Sequence, residues 1–185
     1  MTDMNEAQAM SRRRFLRASV QAGIGLVIAS PLDLLAKTPK PETLSFYHTH
    51  TKERFDLCHI KGTCTPGVQK KFNSFLRDFR TGEVHPIDYR LVKILRKIQK
   101  TAGNPGIFEV ISGYRSPKTN KLLRKNSTGV AQKSLHMKGK AIDVRLTGLP
   151  TKELRDIAIS LKSGGVGYYA KSDFVHLDTG NFRCW

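Results

Sequence analysis

The residues best suited to chemistry lie in "SLHMKGKAIDV", Ser134 to Val144, where His136 and Asp143 stand seven positions apart around a glycine and an alanine. An imidazole and a carboxylate together suit zinc, but a catalytic zinc normally takes three protein ligands and keeps one position open. The pair alone therefore fits either a metal site or a glycine turn entering an ordinary strand. His176, in "DFVHLDTG", is the natural third ligand if its strand lies antiparallel beside that of Asp143. Asp173 precedes His176 by three residues, and a carboxylate near a zinc-held water can take its proton and deliver it to a leaving amine. Arg115, in "SGYRS", is a fixed cation suited to a developing oxyanion or a substrate carboxylate. Asp178, two residues after His176, is placed to orient an imidazole. Taken singly, each has a bland reading as a turn cap, a satisfied strand histidine or a surface ion pair.

Such a constellation needs elements to hold it. "LSFYHTHTKERFDLCHI" alternates and reads as a strand, a turn and a second strand. Val68, Phe72, Phe75, Leu76 and Phe79 fall at helical spacing, and Leu91, Leu95 and Ile98 repeat the pattern in a second helix that ends at "AGNPG". "IFEVISGYRS" is an apolar strand running into a turn. Ser116-Pro117 then supplies an N-cap and first helical residue for the short helix "KTNKLLRKN". "KAIDVRL" is a strand, Pro150-Thr151 opens a helix carrying Leu154, Ile157, Ala158 and Leu161, and "GGVGYYA" and "DFVHLDTG" close the chain as strands. No repeat and no long internal linker divides this body. The pattern predicts one α+β domain, a mainly antiparallel sheet with helices packed on one face.

Of 185 residues, 39% are hydrophobic and 25% charged, the balance of one globular domain with a real core. The net charge is +17. In residues 1–36 four arginines against three acids leave only +1, so the body carries +16 and favours an anionic partner. "SRRRFLRAS" followed by "VQAGIGLVIASPLDLLA" has the basic region, modest apolar run and small residues of an export segment, with a cut expected near Ala36. Arg12 and Arg13, with Phe15 and Leu16, resemble the twin-arginine motif. The apolar run, broken by Pro31 and Asp33, is too short for a convincing membrane span; the alternative is an uncleaved amphipathic anchor. Export to the periplasm by the twin-arginine machinery is therefore expected, which argues against a nucleic-acid partner. Cys58 and Cys64 could close a small disulfide there, leaving Cys184 over.

The motifs "SGYRS", "SLHMKGKAID" and "GGVGYY" followed by "FVHLDTG" together resemble the zinc peptidases of the D-Ala-D-Ala carboxypeptidase group, over about Leu44 to Trp185. The leading arginine segment and the final tryptophan fit the resemblance. It implies a Hedgehog/DD-peptidase-like fold, one zinc per chain on His136, Asp143 and His176, Asp173 as general base, and Arg115 stabilising the reacting carbonyl. Many relatives carry glutamate where this chain has Asp173. The implied activity is hydrolysis of peptide crosslinks in peptidoglycan, between two meso-diaminopimelate residues and also from D-alanine to diaminopimelate; a monomer that is not an integral membrane protein after cleavage is expected. Residues 1–36 are then the signal, 37–43 a proline-rich linker and 44–185 the peptidase domain. Two alternatives stand beside this: a carboxypeptidase trimming terminal D-alanine, and a non-catalytic murein-binding module that keeps a structural zinc. "HTH" sets His48 and His50 on one strand face, an incomplete second metal site. His59 and His85 read as surface or turn residues.

Overall fold

Period-two burial builds the first hairpin. The computed structural model describes residues 42–59, 65–126 and 129–185. In it β1 (Glu42–His48) buries Leu44, Phe46 and His48 and pairs antiparallel with β2 (Arg54–His59). β1 starts two residues inside the segment read as linker. The expected signal falls outside the described residues, as does Cys64 and with it the Cys58–Cys64 pairing.

The helices follow from caps and apolar stripes. α1 (Pro66–Phe75) starts at Thr65, whose hydroxyl accepts from the Val68 amide at 3.4 Å, with Pro66 opening the first turn. It buries Phe72 and Phe75. α2 (Arg90–Ala102) buries Leu91, Val92, Ile94, Leu95 and Ile98 and stops at left-handed Gly103. After β3 (Phe108–Ser112), α3 (Pro117–Asn126) is capped by the Ser116 hydroxyl, which accepts from the Thr119 amide at 3.2 Å. A 3-10 turn, Leu135–Lys138, precedes β4 (Ala141–Leu146). α4 (Thr151–Ser160), β5 (Gly165–Tyr169), a second 3-10 turn (Ala170–Ser172), β6 (Phe174–Asp178) and β7 (Arg183–Cys184) complete the order.

The seven strands form one sheet in the order β2-β1-β3-β4-β6-β5-β7. Four of its joins are antiparallel, but β1–β3 and β5–β7 are parallel, so the sheet is mixed. The parallel β1–β3 join requires a long crossover, supplied by α1 and α2. Ile142, Val144, Leu146, Val175 and Leu177 enter one core with Phe72, Leu91, Leu95, Ile98 and Leu154 from the helices. Strand alternation then turns Asp143 and His176 to the opposite face, away from α1, α2 and α4. No helix among the described residues is long and apolar enough to cross a membrane.

Candidate metal centre

Sheet register brings the ligands together. β4 and β6 pair antiparallel with Asp143 opposite His176 and with Ile142 and Val144 opposite Leu177 and Val175. A slip of one residue would bury both polar side chains in the core, so the apolar pattern fixes the site. His136 arrives from the 3-10 turn before β4. That turn is capped by the Ser134 hydroxyl, which accepts from the His136 amide at 3.3 Å, and it ends at Gly139 with φ +61°. A Cβ at Gly139 would collide with the Pro86 carbonyl, so both conformation and space demand glycine there. The result is a buried group in which His136 Nε2, Asp143 Oδ1 and His176 Nδ1 converge at 2.9–3.2 Å from one another.

Neighbouring contacts define which ring nitrogens face the centre. His136 Nδ1 lies 2.7 Å from the Gly113 carbonyl and donates to it, leaving Nε2 with its lone pair inward. His176 Nε2 lies 3.1 Å from Asp178 Oδ2, which leaves Nδ1 inward. Three potential ligand atoms thus face one another, with His176 Nδ1 close enough to share a proton with Asp143 Oδ1 at 2.9 Å when no cation is bound. Such a donor set calls for a cation, and two nitrogens plus one carboxylate oxygen suit zinc. Asp178 is itself held: its Oδ1 accepts from the Gly165 and Gly180 amides, and Arg183 grips its Oδ2 at 2.6 Å.

The electrostatics agree. Burial works against ionising Asp143, yet the charges and hydrogen bonds of His136 and His176 hold its pKa well below the usual carboxylate range. Burial likewise opposes a charged His176, but hydrogen bonds to Asp143 and Asp178 raise its pKa to about 9. A metal at this centre must therefore displace a proton, which ties its affinity to pH.

A cleft of about 520 Å³ opens on this group, lined among others by Arg115, Lys133, Tyr169, Phe174, Arg183 and Trp185. Arg115 follows the β3 turn and is tied to the His136 turn by its amide, which donates to the His136 carbonyl at 3.2 Å. Its Nη2 stands 3.9 Å from Asp143 Oδ2, the carboxylate oxygen outside the converging group. Nη1 donates to Asn120 at 3.4 Å, while the buried Nε has no protein partner. Desolvation is the main influence on this guanidinium and lowers its pKa; Asp143 opposes the shift.

The structure thus gathers His136, Asp143, His176 and Arg115, and it corrects the expected place of Asp173. That carboxylate lies outside the cleft, in a separate recess with Glu109, Arg145 and Thr151. It accepts from Thr151 Oγ1 at 2.7 Å and Arg145 Nη1 at 3.3 Å. The cause is local: Asp173 is not on β6 but caps the 3-10 turn before it at φ +50°, so a strand offset cannot place it. Three contributors escaped sequence reasoning. The Gly113 carbonyl has no side-chain signal, and Arg183 and Trp185 lie within and just after a two-residue strand too short for a periodicity; the alternating glycines Gly165 and Gly167 were the available sign of something lying over β5. The second histidine pair is elsewhere. His48 Nδ1 accepts from the His50 and Thr51 amides at 3.3 and 3.4 Å, and the His50 ring stacks on Phe79 at 4.0 Å.

A buried group of two imidazoles and a carboxylate at the base of an open cleft has the form of a mononuclear metallohydrolase centre. The comparisons with known proteins specify the group further. The family model described as peptidoglycan L,D-endopeptidase MepK matches residues 36–185, and the chain belongs to that family. A relative from Haemophilus influenzae named as a probable peptidoglycan L,D-endopeptidase MepK is 40% identical over 98% of both chains. Relatives named peptidoglycan L,D-endopeptidase MepK from Escherichia coli K12 and Shigella flexneri are each 37% identical, over 95% of this chain and 97% of theirs.

Proposed function

We propose that the protein is a periplasmic zinc peptidase that hydrolyses peptide crosslinks of peptidoglycan, joining two meso-diaminopimelate residues, during cell-wall remodelling. The observation that carries this reading is the convergence of His136 Nε2, Asp143 Oδ1 and His176 Nδ1 in one buried group, in a family of peptidoglycan endopeptidases. Zinc on these three would supply a water acidified to near neutral pH and a positive charge for the scissile carbonyl. The residues then divide the remaining work. Gly113 and Asp178 fix the two imidazole tautomers. Asp143 presents Oδ1 to the cation and Oδ2 toward Arg115. Arg115, on the cleft wall 3.9 Å from Asp143, supplies a fixed positive charge for the oxyanion as the carbonyl is attacked. Asp173, held by Thr151 and Arg145 outside the cleft, is not positioned to touch a water there. The twin-arginine motif around Arg12 and Arg13 supports export to the compartment that holds the substrate.

Digestion of purified sacculi, with identification of the released muropeptides, tests this reading. Loss of dimers joined between diaminopimelate residues, abolished by a chelator and restored by zinc, is the expected result. The Arg115 guanidinium on the cleft wall equally suits a terminal carboxylate, as a carboxypeptidase would need. Release of free D-alanine with the crosslinks intact would establish that activity in place of the endopeptidase.

A further inference from the structure

The wall of the cleft beside His176 is built by residues that metal binding does not account for. β5 carries Gly165 and Gly167 two positions apart, on the face shared with His176. A Cβ at Gly165 would run into the Asp178 carboxylate and the Arg183 guanidinium, and one at Gly167 would lie 2.7–2.9 Å from the Trp185 indole. The two glycines therefore open a trough on the sheet, filled by Arg183 and Trp185. Gly167 is the residue opposite His176 in register, so the indole lies beside the metal group, its centroid 5.3 Å from that of His176.

Trp185 is also fixed in place. Its amide donates to the Val166 carbonyl at 3.2 Å, and its carbonyl accepts from the Tyr168 amide at 3.0 Å. Nε1 donates to the Tyr169 hydroxyl at 3.2 Å, and the Arg183 guanidinium stands 4.9 Å from the ring centroid. Despite these restraints the residue is 52% exposed. A large apolar ring, immobilised and half exposed in a cleft whose other walls include Arg115, Lys133 and Ser134, is arranged for contact with a ligand rather than for core packing.

We propose that Trp185 is a substrate-contacting residue whose exposed face receives the aliphatic arm of the crosslinked diamino acid and steadies the scissile amide over the metal group. The inference rests on the peptidoglycan reading above. The diaminopimelate that donates the scissile carbonyl carries an arm of methylenes ending in a free amino-acid centre, and methylenes pack on an indole face. The carboxylate at that far end complements Arg115, Lys133 and Arg183 around the same cleft. A crosslink made through D-alanine offers only a methyl group on that side, so Trp185 favours the longer arm.

Trp185 is the only tryptophan in the chain, which gives a direct reporter. Titrating the zinc-depleted protein with a purified dimer joined between diaminopimelate residues should shift its emission saturably; an unchanged emission while calorimetry records binding overturns the proposal. In turnover, Trp185→Ala should raise KM for that dimer about tenfold, the scale of one lost aromatic contact. Its zinc content should stay near wild type, its preference over the D-alanine-linked dimer should fall, and Trp185→Phe should recover most of the loss. An unchanged KM, or a joint fall in zinc content and kcat that phenylalanine does not rescue, overturns it. Should Trp185→Ala fail to fold, the emission titration and Trp185→Phe decide. If the wild-type protein cleaves no crosslink, the peptidoglycan reading fails, whereas cleavage with a wild-type KM in Trp185→Ala removes only the role of Trp185.

Discussion

The protein holds two pairs of close histidines, and their surroundings give them opposite characters. His136 and His176 each set one ring nitrogen outward, against the Gly113 carbonyl and Asp178, and turn the other inward beside Asp143. His48 spends its Nδ1 lone pair on two backbone amides and stands edge-on to Phe75 and Phe79, while His50 lies flat on Phe79. The first pair has a carboxylate between its members. The second has aromatic rings, and burial with the neighbouring His50 charge lowers the His48 pKa to about 4. Histidine spacing alone therefore predicts little; what receives the outward N–H decides whether an imidazole is ready to bind a cation.

The sharpest way to break this contrast is His136→Ala set against His48→Leu. The former should lose metal and turnover together, measured as zinc content and crosslink hydrolysis on one preparation; the latter should keep both. Next in size, Arg115→Ala should retain zinc and lose roughly a hundred- to a thousandfold in kcat, as removal of an oxyanion donor does. Asp178→Asn should weaken zinc binding by about ten- to a hundredfold in a chelator competition, because it removes the group orienting His176.

A smaller effect is expected from the aromatic pair. His48 has a folded-state pKa of about 4 against an ordinary 6.5, so between those values the unfolded chain binds the extra proton. Stability from this residue is full above about pH 6.5 and falls as pH drops toward 4, with a limiting slope of about 1.4 kcal/mol per unit. Urea midpoints measured across that range should show this acid-side loss in the wild type and a flatter profile in His48→Leu. Smallest of all, Asp173→Ala should leave zinc content unchanged and kcat within about threefold, since general acid–base groups that touch the reaction are worth on the order of a hundredfold or more. A loss of that larger size would show that Asp173 reaches the reacting water in the working enzyme.

Much of this arrangement was legible in the sequence. "KAIDVRL" and "DFVHLDTG" read as strands, and pairing them antiparallel set His176 beside Asp143. The Ser116-Pro117 helix start and the apolar stripes of α1 and α2 were equally local signals. Asp173 was assigned from its position three residues before His176 and from the family resemblance, whereas the chain turns left-handed there and its carboxylate meets Thr151 and Arg145. The parallel join of β1 to β3 was not legible, since Phe46 meets Phe108 only after the intervening helices have folded back. Nor was β7, whose two residues carry no pattern and whose place is set by missing side chains on β5.

The short segment Arg183–Trp185 has a second consequence, for solubility. It lies along the outer side of β5, where Trp185 exchanges backbone hydrogen bonds with Val166 and Tyr168. Were it to peel away, β5 would become the margin of the sheet, with those groups unpaired and no side chain at Gly165 or Gly167 to obstruct an approaching chain. An open margin of that kind is a template for strand addition between molecules. The residues that wall the cleft therefore also guard the protein against self-association.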